Sequence, residues 1–238
     1  MLQQTQVARV ITAYCRFLAS FPTLRALARA PLGAVLREWS GLGYNRRARD
    51  LHRIARLHPG GLPADVAGLD ALPGVGAYTA AAVACFAFGE RVAFADTNIR
   101  RVLGRAVLGR AATESEAIAL DRRFGSRRDG ARWHHALMDI GATICVARRP
   151  RCEVCPVQAT CRYEGAAERT RRRQSPFRES DRRVRGAIVR YLARSRRAVP
   201  LNVLRRGIND ARVPRLVETL AGEGLVQVSS GSARLPTR

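Results

Sequence analysis

Leu72-Pro73-Gly74-Val75-Gly76-Ala77-Tyr78-Thr79 is the stretch that decides the fold of this chain. Pro73 and Gly74 end the helix that carries Val66 to Ala71, because proline interrupts the helical ladder and glycine tolerates positive φ. Gly76 permits a tight turn into a second helix, in which Ala77 to Phe86 is built almost wholly of small residues. The expected product is helix, short hairpin, helix, with backbone N–H groups free at the start of the second helix. Such an N-terminus seats one phosphate, and nothing bulky on the turn keeps a polyanion away. The plain alternative is an ordinary interhelical turn.

Ten residues beyond Phe86 stands a single carboxylate in Phe94-Ala95-Asp96-Thr97-Asn98. Asp96 reads either as a reactive carboxylate or as the N-cap of the helix that Ile99, Val102, Leu103 and Val107 continue. Upstream, Val7, Val10, Ile11, Tyr14, Phe17 and Leu18 mark a first helix, Phe21-Pro22 ends it, and Thr23 and Pro31 open two short ones. Gly41-Leu42-Gly43-Tyr44 is a glycine-pivoted turn with an aromatic tip, followed by Arg46, Arg47 and Arg49 on a basic helix. It reads as an aromatic wedge beside phosphate-binding arginines, or as a capped helix with a solvated face. Glu114 to Phe124 and Trp133 to Ala147 give two further helices. The core is therefore all-α.

The chain has 238 residues and a formal net charge of +23, and every basic side chain in that balance is arginine. A charge of this size favours a polyanionic partner, and arginine suits bidentate phosphate contacts. No apolar run reaches membrane-spanning length and the start lacks a secretory h-region, so a cytoplasmic, nucleoid-associated monomer is expected. The absence of lysine has a chemical consequence: strand scission through a lysine Schiff base is excluded.

Six cysteines are present. Cys15 and Cys85 lie in apolar helical contexts and read as core residues. The other four are spaced Cys145-x6-Cys152-x2-Cys155-x5-Cys161, a metal pattern rather than a disulfide one in a cytosolic chain. Zinc sites usually join two C-x2-C pairs from separate segments. One short pair with two outliers suits a [4Fe–4S] cluster better, with zinc as the alternative.

Arginine-rich residues 166–180 read as a linker. Beyond them, Val184 to Leu192, Leu201 to Ile208 and Val213 to Ala221 predict three helices, and Leu225 to Val228 with Ala233 to Leu235 predict two strands of a wing. The tail 181–238 is thus expected to be a small winged-helix-like module. The remaining boundaries are expected as a hairpin-bearing domain over 1–92 and a cluster domain over 93–165.

This combination resembles the helix-hairpin-helix DNA glycosylases, and among them the MutY-type adenine glycosylases, over nearly all of residues 1 to about 165. Met1-Leu2-Gln3-Gln4-Thr5-Gln6-Val7 is similar to that family's wedge motif, and Gly41-Leu42-Gly43-Tyr44 to its second DNA-contacting turn. Leu72-Pro73-Gly74-Val75-Gly76 resembles its hairpin, and Met138-Asp139-Ile140-Gly141-Ala142 before Cys145 its cluster segment. Tyr78 stands where the related endonuclease III branch carries a lysine nucleophile, which agrees with a monofunctional enzyme.

The resemblance implies base flipping of an adenine opposite 8-oxoguanine or G in double-stranded DNA, helped by wedge residues Leu2, Gln3, Gln4 and Tyr44. It implies hydrolysis of the N-glycosidic bond with Asp96 steadying an oxocarbenium-like sugar, Tyr78 beside it, and Asp139 as a secondary pocket residue. Gly74, Val75 and Gly76 would hold the DNA backbone together with Arg46, Arg47 and Arg49. The family's general-acid glutamate falls two residues before Met1, so a longer working polypeptide is expected. The alternatives are a thymine or uracil mismatch glycosylase and a catalytically impaired DNA-binding protein. The family's long C-terminal lesion-reading domain is also replaced here by the short tail.

Overall fold

The computed structural model describes residues 1, 5, 7–126, 128–165 and 176–237. In chain order the helices are α1 (Val7–Ser20), α2 (Leu24–Arg29), α3 (Leu32–Glu38), α4 (Arg46–Leu57), α5 (Val66–Asp70), α6 (Ala77–Phe88), α7 (Thr97–Leu108), α8 (Glu114–Phe124) and α9 (Gly130–Thr143). The tail adds α10 (Asp181–Arg194), β1 (Val199–Pro200), α11 (Leu201–Ile208), α12 (Val213–Gly222), β2 (Gln227–Ser229) and β3 (Ser232–Arg234). Helix ends follow local chemistry. Thr23 accepts from Ala26 N–H, Asp65 from Gly68 N–H and Asp129 from Arg132 N–H, while Thr113 and Glu116 close a reciprocal capping box.

The chain forms two compact units, and they divide it elsewhere than the boundaries read from the sequence. One gathers residues 1–61 and the tail; the other is the intervening segment that starts at Leu62. The tail shares the core of the unit that holds residues 1–61. Val184, Ile188, Val189 and Leu192 of α10 share one hydrophobic cluster with Phe17, Val35, Leu36 and Trp39. The last strand region reaches the same core, where the Gly33 N–H donates to the Pro236 carbonyl at 2.8 Å. Gly33 is needed there, since an added Cβ would lie 2.5 Å from that oxygen. Leu32, Val35 and Leu36 of α3 are all buried in this cluster, and α10 packs on α3 beside α1 and α4 to bury that apolar surface.

Within the tail the sheet order is β1-β3-β2, all antiparallel, with Val199 opposite Ala233 and Val228 also opposite Ala233. Helix–strand–helix–helix–strand–strand in this order is a winged-helix arrangement. β1 is a strand that the sequence did not announce, since two residues carry no alternation to read.

The second unit packs α6, α7, α8 and α9 around Phe94, Ile99, Val102, Leu103, Ala117 and Leu137. Among the described residues no buried side-chain nitrogen or oxygen lacks a hydrogen-bond partner, and no helix is long and apolar enough to cross a membrane.

Candidate active site

The hairpin forms as its residues dictate. Pro73 and Gly74 occupy the centre of a turn closed by Val75 N–H donating to the Leu72 carbonyl at 3.1 Å, and Gly74 takes φ +73°. That is the position at which a type II turn demands glycine. Gly76 then caps α6 with extended backbone and no side chain. A Cβ built on Gly76 meets no atom within 4 Å, so the approach to the first turn of α6 is open. Exposed amides at the positive end of a 12-residue helix make a seat for a phosphate.

After α6 the chain runs extended to Asp96, and a buried polar network fixes this run. Asp121, its side chain 2% exposed, lies 2.7 Å from His134 Nε2. It also accepts from Trp133 Nε1 at 2.6 Å and from the Phe94 N–H at 3.1 Å. The Phe94 ring stacks on His134 with centroids 4.0 Å apart and takes the edge of Tyr78 at 5.7 Å. Two residues beyond this anchor, Asp96 begins α7.

Asp96 is held at both oxygens. Oδ1 accepts from the Ile99 N–H at 2.7 Å, and Oδ2 accepts from Asn98 Nδ2 at 3.2 Å. Asn98 is oriented in turn by Arg101, whose Nη2 donates to Asn98 Oδ1 at 2.7 Å and to the Gly141 carbonyl at 2.5 Å. Arg101 Nε donates to the Cys145 carbonyl at 2.5 Å. The backbone of α9 comes close enough for this only because residue 141 is glycine: a Cβ there would sit 2.6 Å from Asn98 Cβ. Half-buried Tyr78 shares this environment. Burial, and then the charge of Asp96, push its phenol above the ordinary tyrosine range, so it stays neutral and able to donate. A fixed carboxylate at a helix N-terminus, beside a neutral phenol, is equipped to stabilise positive charge developing on a substrate.

The four spaced cysteines meet at one place. Cys145, Cys152, Cys155 and Cys161 line a single cavity of about 130 Å³, together with Arg105, Ile140, Ile144 and Tyr163. Among the described residues no three His, Cys, Asp or Glu side chains converge closely enough to grip one metal ion. Four thiols around a shared cavity fit a polynuclear cluster, in which each sulfur binds a different corner. Arg105, 1% exposed, braces the cavity by donating to the Val146 and Ala147 carbonyls at 2.9 and 3.1 Å and pointing Nη1 at Cys145 Sγ, 3.6 Å away. Burial and the neighbouring sulfurs raise the Cys152 thiol, a repulsion that bound iron would relieve. A cluster held by these four sulfurs would tie the loop from Ile144 to Arg162 into one piece.

In the other unit, Gly41, Gly43 and Tyr44 take φ of +97°, +74° and +49°. Trp39 Nε1 pins this turn by donating to the Gly43 carbonyl at 2.9 Å, and the exposed Tyr44 ring lies under the Arg47 guanidinium at 4.6 Å. Arg46 is exposed, with Glu223 of the tail 3.8 Å away. Arg49 is committed elsewhere: Nε and Nη2 donate to Asp50, and Nη1 donates to the Glu223 carbonyl at 2.7 Å. Arg49 thus ties α4 to the tail. Asp139 is exposed on α9. Leu2, Gln3 and Gln4 lie outside the described residues. The sequence reading gave no role to Arg101, Arg105, Asp121 or His134. Arg101 and Arg105 are two arginines one turn apart, both buried on a face of α7 other than the apolar stripe of Ile99, Val102 and Leu103, so the apolar pattern gave no signal for them.

The fold and site define a helix-hairpin-helix base-excision protein with an iron–sulfur loop. Residues 1–123 match the family described as HhH-GPD superfamily base excision DNA repair protein, and the chain belongs to it. Residues 145–161 match the iron–sulfur binding domain of endonuclease III, so the chain carries an iron–sulfur cluster in the segment that holds the four spaced cysteines. An adenine DNA glycosylase of Mycobacterium tuberculosis is 39% identical over 244 residues, covering 95% of this chain and 79% of that protein. The Mycolicibacterium smegmatis adenine DNA glycosylase is 40% identical over 95% of this chain and 81% of its own length. A solved thermostable thymine-DNA glycosylase superposes with a TM-score of 0.59 at 29% identity, over 68% of this chain and 79% of that one. A non-covalent endonuclease III–DNA complex gives 0.59 at 27%, over 67% and 77%.

Proposed function

We propose that this chain is a monofunctional adenine DNA glycosylase that hydrolyses the N-glycosidic bond of an adenine opposite 8-oxoguanine or G in duplex DNA. The observation that carries this reading is the Asp96 carboxylate, held at both oxygens at the start of α7 with neutral Tyr78 beside it. Adenine relatives that align over 95% of the chain support the choice of base.

Each residue has a physical task. The α6 N-terminus at Gly74, Val75 and Gly76 holds one backbone phosphate, and Arg46 and Arg47 add charge from α4. Tyr44, raised on its glycine pivot, enters the stack with Leu2, Gln3 and Gln4 as the adenine leaves it. The adenine takes up a proton as it leaves, the sugar left behind is electron-poor until water adds at its C1′, and Asp96 lowers the energy of that state through its charge. Asp139, exposed on α9, is a secondary candidate for contact with the flipped base. With no lysine in the chain, the reaction ends at the abasic site without lysine-dependent strand scission.

Single-turnover release of base from A·8-oxoG, A·G, T·G and U·G duplexes tests the reading. Adenine release in the first two, with no strand nick before alkali, is expected. Release of thymine or uracil in preference would move the chain to a mismatch glycosylase, the activity in the name of the thymine-DNA glycosylase it superposes on. Tight binding with no release from any duplex would make it a DNA-binding protein.

A further inference from the structure

The tail carries a surface that the chemistry at Asp96 does not use. α10 places Arg183, Ala187, Arg190 and Arg194 at i, i+4, i+7 and i+11, on one face. With Tyr191, Ser195 and residues of α11 they line a cleft of about 420 Å³. Small residues open it. Gly207 lies against the Tyr191 ring, where an added Cβ would meet Cε2 at 2.6 Å, so the ring packs on α11 and the space beside it stays clear.

Charge in the tail is sorted by face. Arg183 is paired with Asp210 at 2.8 Å. Arg190 and Arg194 have no acceptor among the described residues, and neither do the exposed Arg196, Arg197, Arg205 and Arg206 on the following turn and on α11. On α12 the reverse holds. Arg212 and Arg215 are tied to Asp181 and Asp210, and Glu218 offsets what charge remains. α12 is the helix that a helix-turn-helix ordinarily presents to DNA. Here its exposed residues Pro214, Arg215, Glu218 and Thr219 carry one positive charge against one negative.

We propose that the α10–α11 cleft and its flanking arginines form a phosphodiester-binding surface with which the tail grips duplex DNA, independently of sequence and without using α12 as a reading helix. Arg190 and Arg194 stand one helical turn apart, each offering a guanidinium fork for a phosphate, and the Tyr191 hydroxyl adds a neutral donor, the Ser195 hydroxyl being spent on the Tyr191 carbonyl at 3.0 Å. The choice of DNA as the polyanion rests on the glycosylase reading above.

The test uses the full, cluster-loaded chain and its Arg190→Gln/Arg194→Gln variant, with Arg215→Gln as control. Affinity for an undamaged duplex is measured between about 50 and 200 mM salt. Two lost phosphate contacts are expected to reduce the slope of log K against log salt by about 1.8, equally for unrelated sequences. Arg215→Gln is expected to leave the slope alone, and the single-turnover rate at saturating DNA to stay at the parent value in both. A parent-like slope in the double variant overturns the proposal, as does an equal loss in Arg215→Gln. Should the double variant melt at a lower temperature, Arg190→Lys/Arg194→Lys must restore the slope, because lysine neutralises phosphate as well; failure to restore it also overturns the proposal. A falling slope in a chain that releases no adenine would leave this surface standing and remove the base assignment, whereas adenine release with an unchanged slope would do the opposite.

Discussion

Arg101 Nη2 donates to Asn98 Oδ1 at 2.7 Å, and through Asn98 it sets the position of the Asp96 carboxylate. The same guanidinium also holds the carbonyls of Gly141 and Cys145, so the carboxylate is referenced to the first residue of the cluster loop. Asn98→Ala removes the donor to Oδ2 but leaves Ile99 N–H on Oδ1. Single-turnover adenine release should fall by about tenfold or more, the scale found when the groups that orient a reactive ligand are removed. Duplex affinity should stay within about twofold. Arg101→Gln should reproduce the rate loss and also lower stability by about 1–3 kcal/mol, because buried carbonyls lose their partner. A parent-like rate in Asn98→Ala would reduce this chain of bonds to packing.

Asp96 has two tasks, and they separate by substitution. Asparagine caps a helix about as well as aspartate, so Asp96→Asn should keep the melting temperature close to that of the parent. It lacks the negative charge, and adenine release should fall at least about a hundredfold, as when one electrostatic stabiliser is lost. Asp96→Ala should lose rate to the same extent and also about 1 kcal/mol of stability. Near-normal turnover in Asp96→Asn would leave a helix cap and nothing more.

The tail is part of the core of its unit, and its removal is a folding event rather than a trimming. Ile188 is fully buried in the cluster that also holds Val35 and Leu36. Ile188→Ala should cost about 2–5 kcal/mol, measured by denaturant unfolding. Gly33→Val forces a branched side chain against the Pro236 carbonyl, already 2.5 Å from an added Cβ, and should unfold the same unit at lower denaturant. Variants that unfold at the parent midpoint would show that the tail only rests on the helices it covers.

What the sequence disclosed and what it withheld follow from how local each feature is. Proline, glycine and capping residues act within four positions, so the hairpin, the Asp96 cap and the span of α8 were legible directly. Cysteine spacing is local too, and its four sulfurs do share one cavity. The docking of α10 on α3 was not legible. Both helices carry an apolar stripe, and a stripe does not name the partner that will cover it. Arg49 shows the same limit among charges: a basic side chain beside a DNA-contacting motif reads as a phosphate ligand until the Glu223 carbonyl, 174 positions away, is seen to occupy it.

The cluster loop makes a spectroscopic prediction. Anaerobically purified protein should be brown with broad absorption near ~400 nm, and should contain about four iron and four acid-labile sulfide per chain. Cys155→Ser should bleach the colour and loosen residues 145–161 towards protease, since one corner of the cluster loses its ligand. Stoichiometric zinc without iron would overturn the assignment.

Asp210 gives the tail a pH dependence whose sign is fixed by its partners. Its carboxylate accepts from the Arg212 side chain at both oxygens, from the Arg212 N–H at 3.0 Å and from Arg183 at 2.8 Å. The Arg212 side chain leads in lowering it to about 2. A folded value below the unfolded one means that its stabilisation is complete above about pH 4 and disappears as pH falls towards 2. Asp210→Asn should therefore melt below the parent at pH ~5, and the gap between them should close by pH ~2. Because Asp210 neutralises Arg183 at the rim of the arginine cleft, the variant frees that guanidinium, and duplex affinity at neutral pH should stay at or above the parent value. A gap that stays constant across this range would mean that Arg212 and Arg183 hold the protonated acid as firmly as the anion, which a charge-assisted bond cannot do.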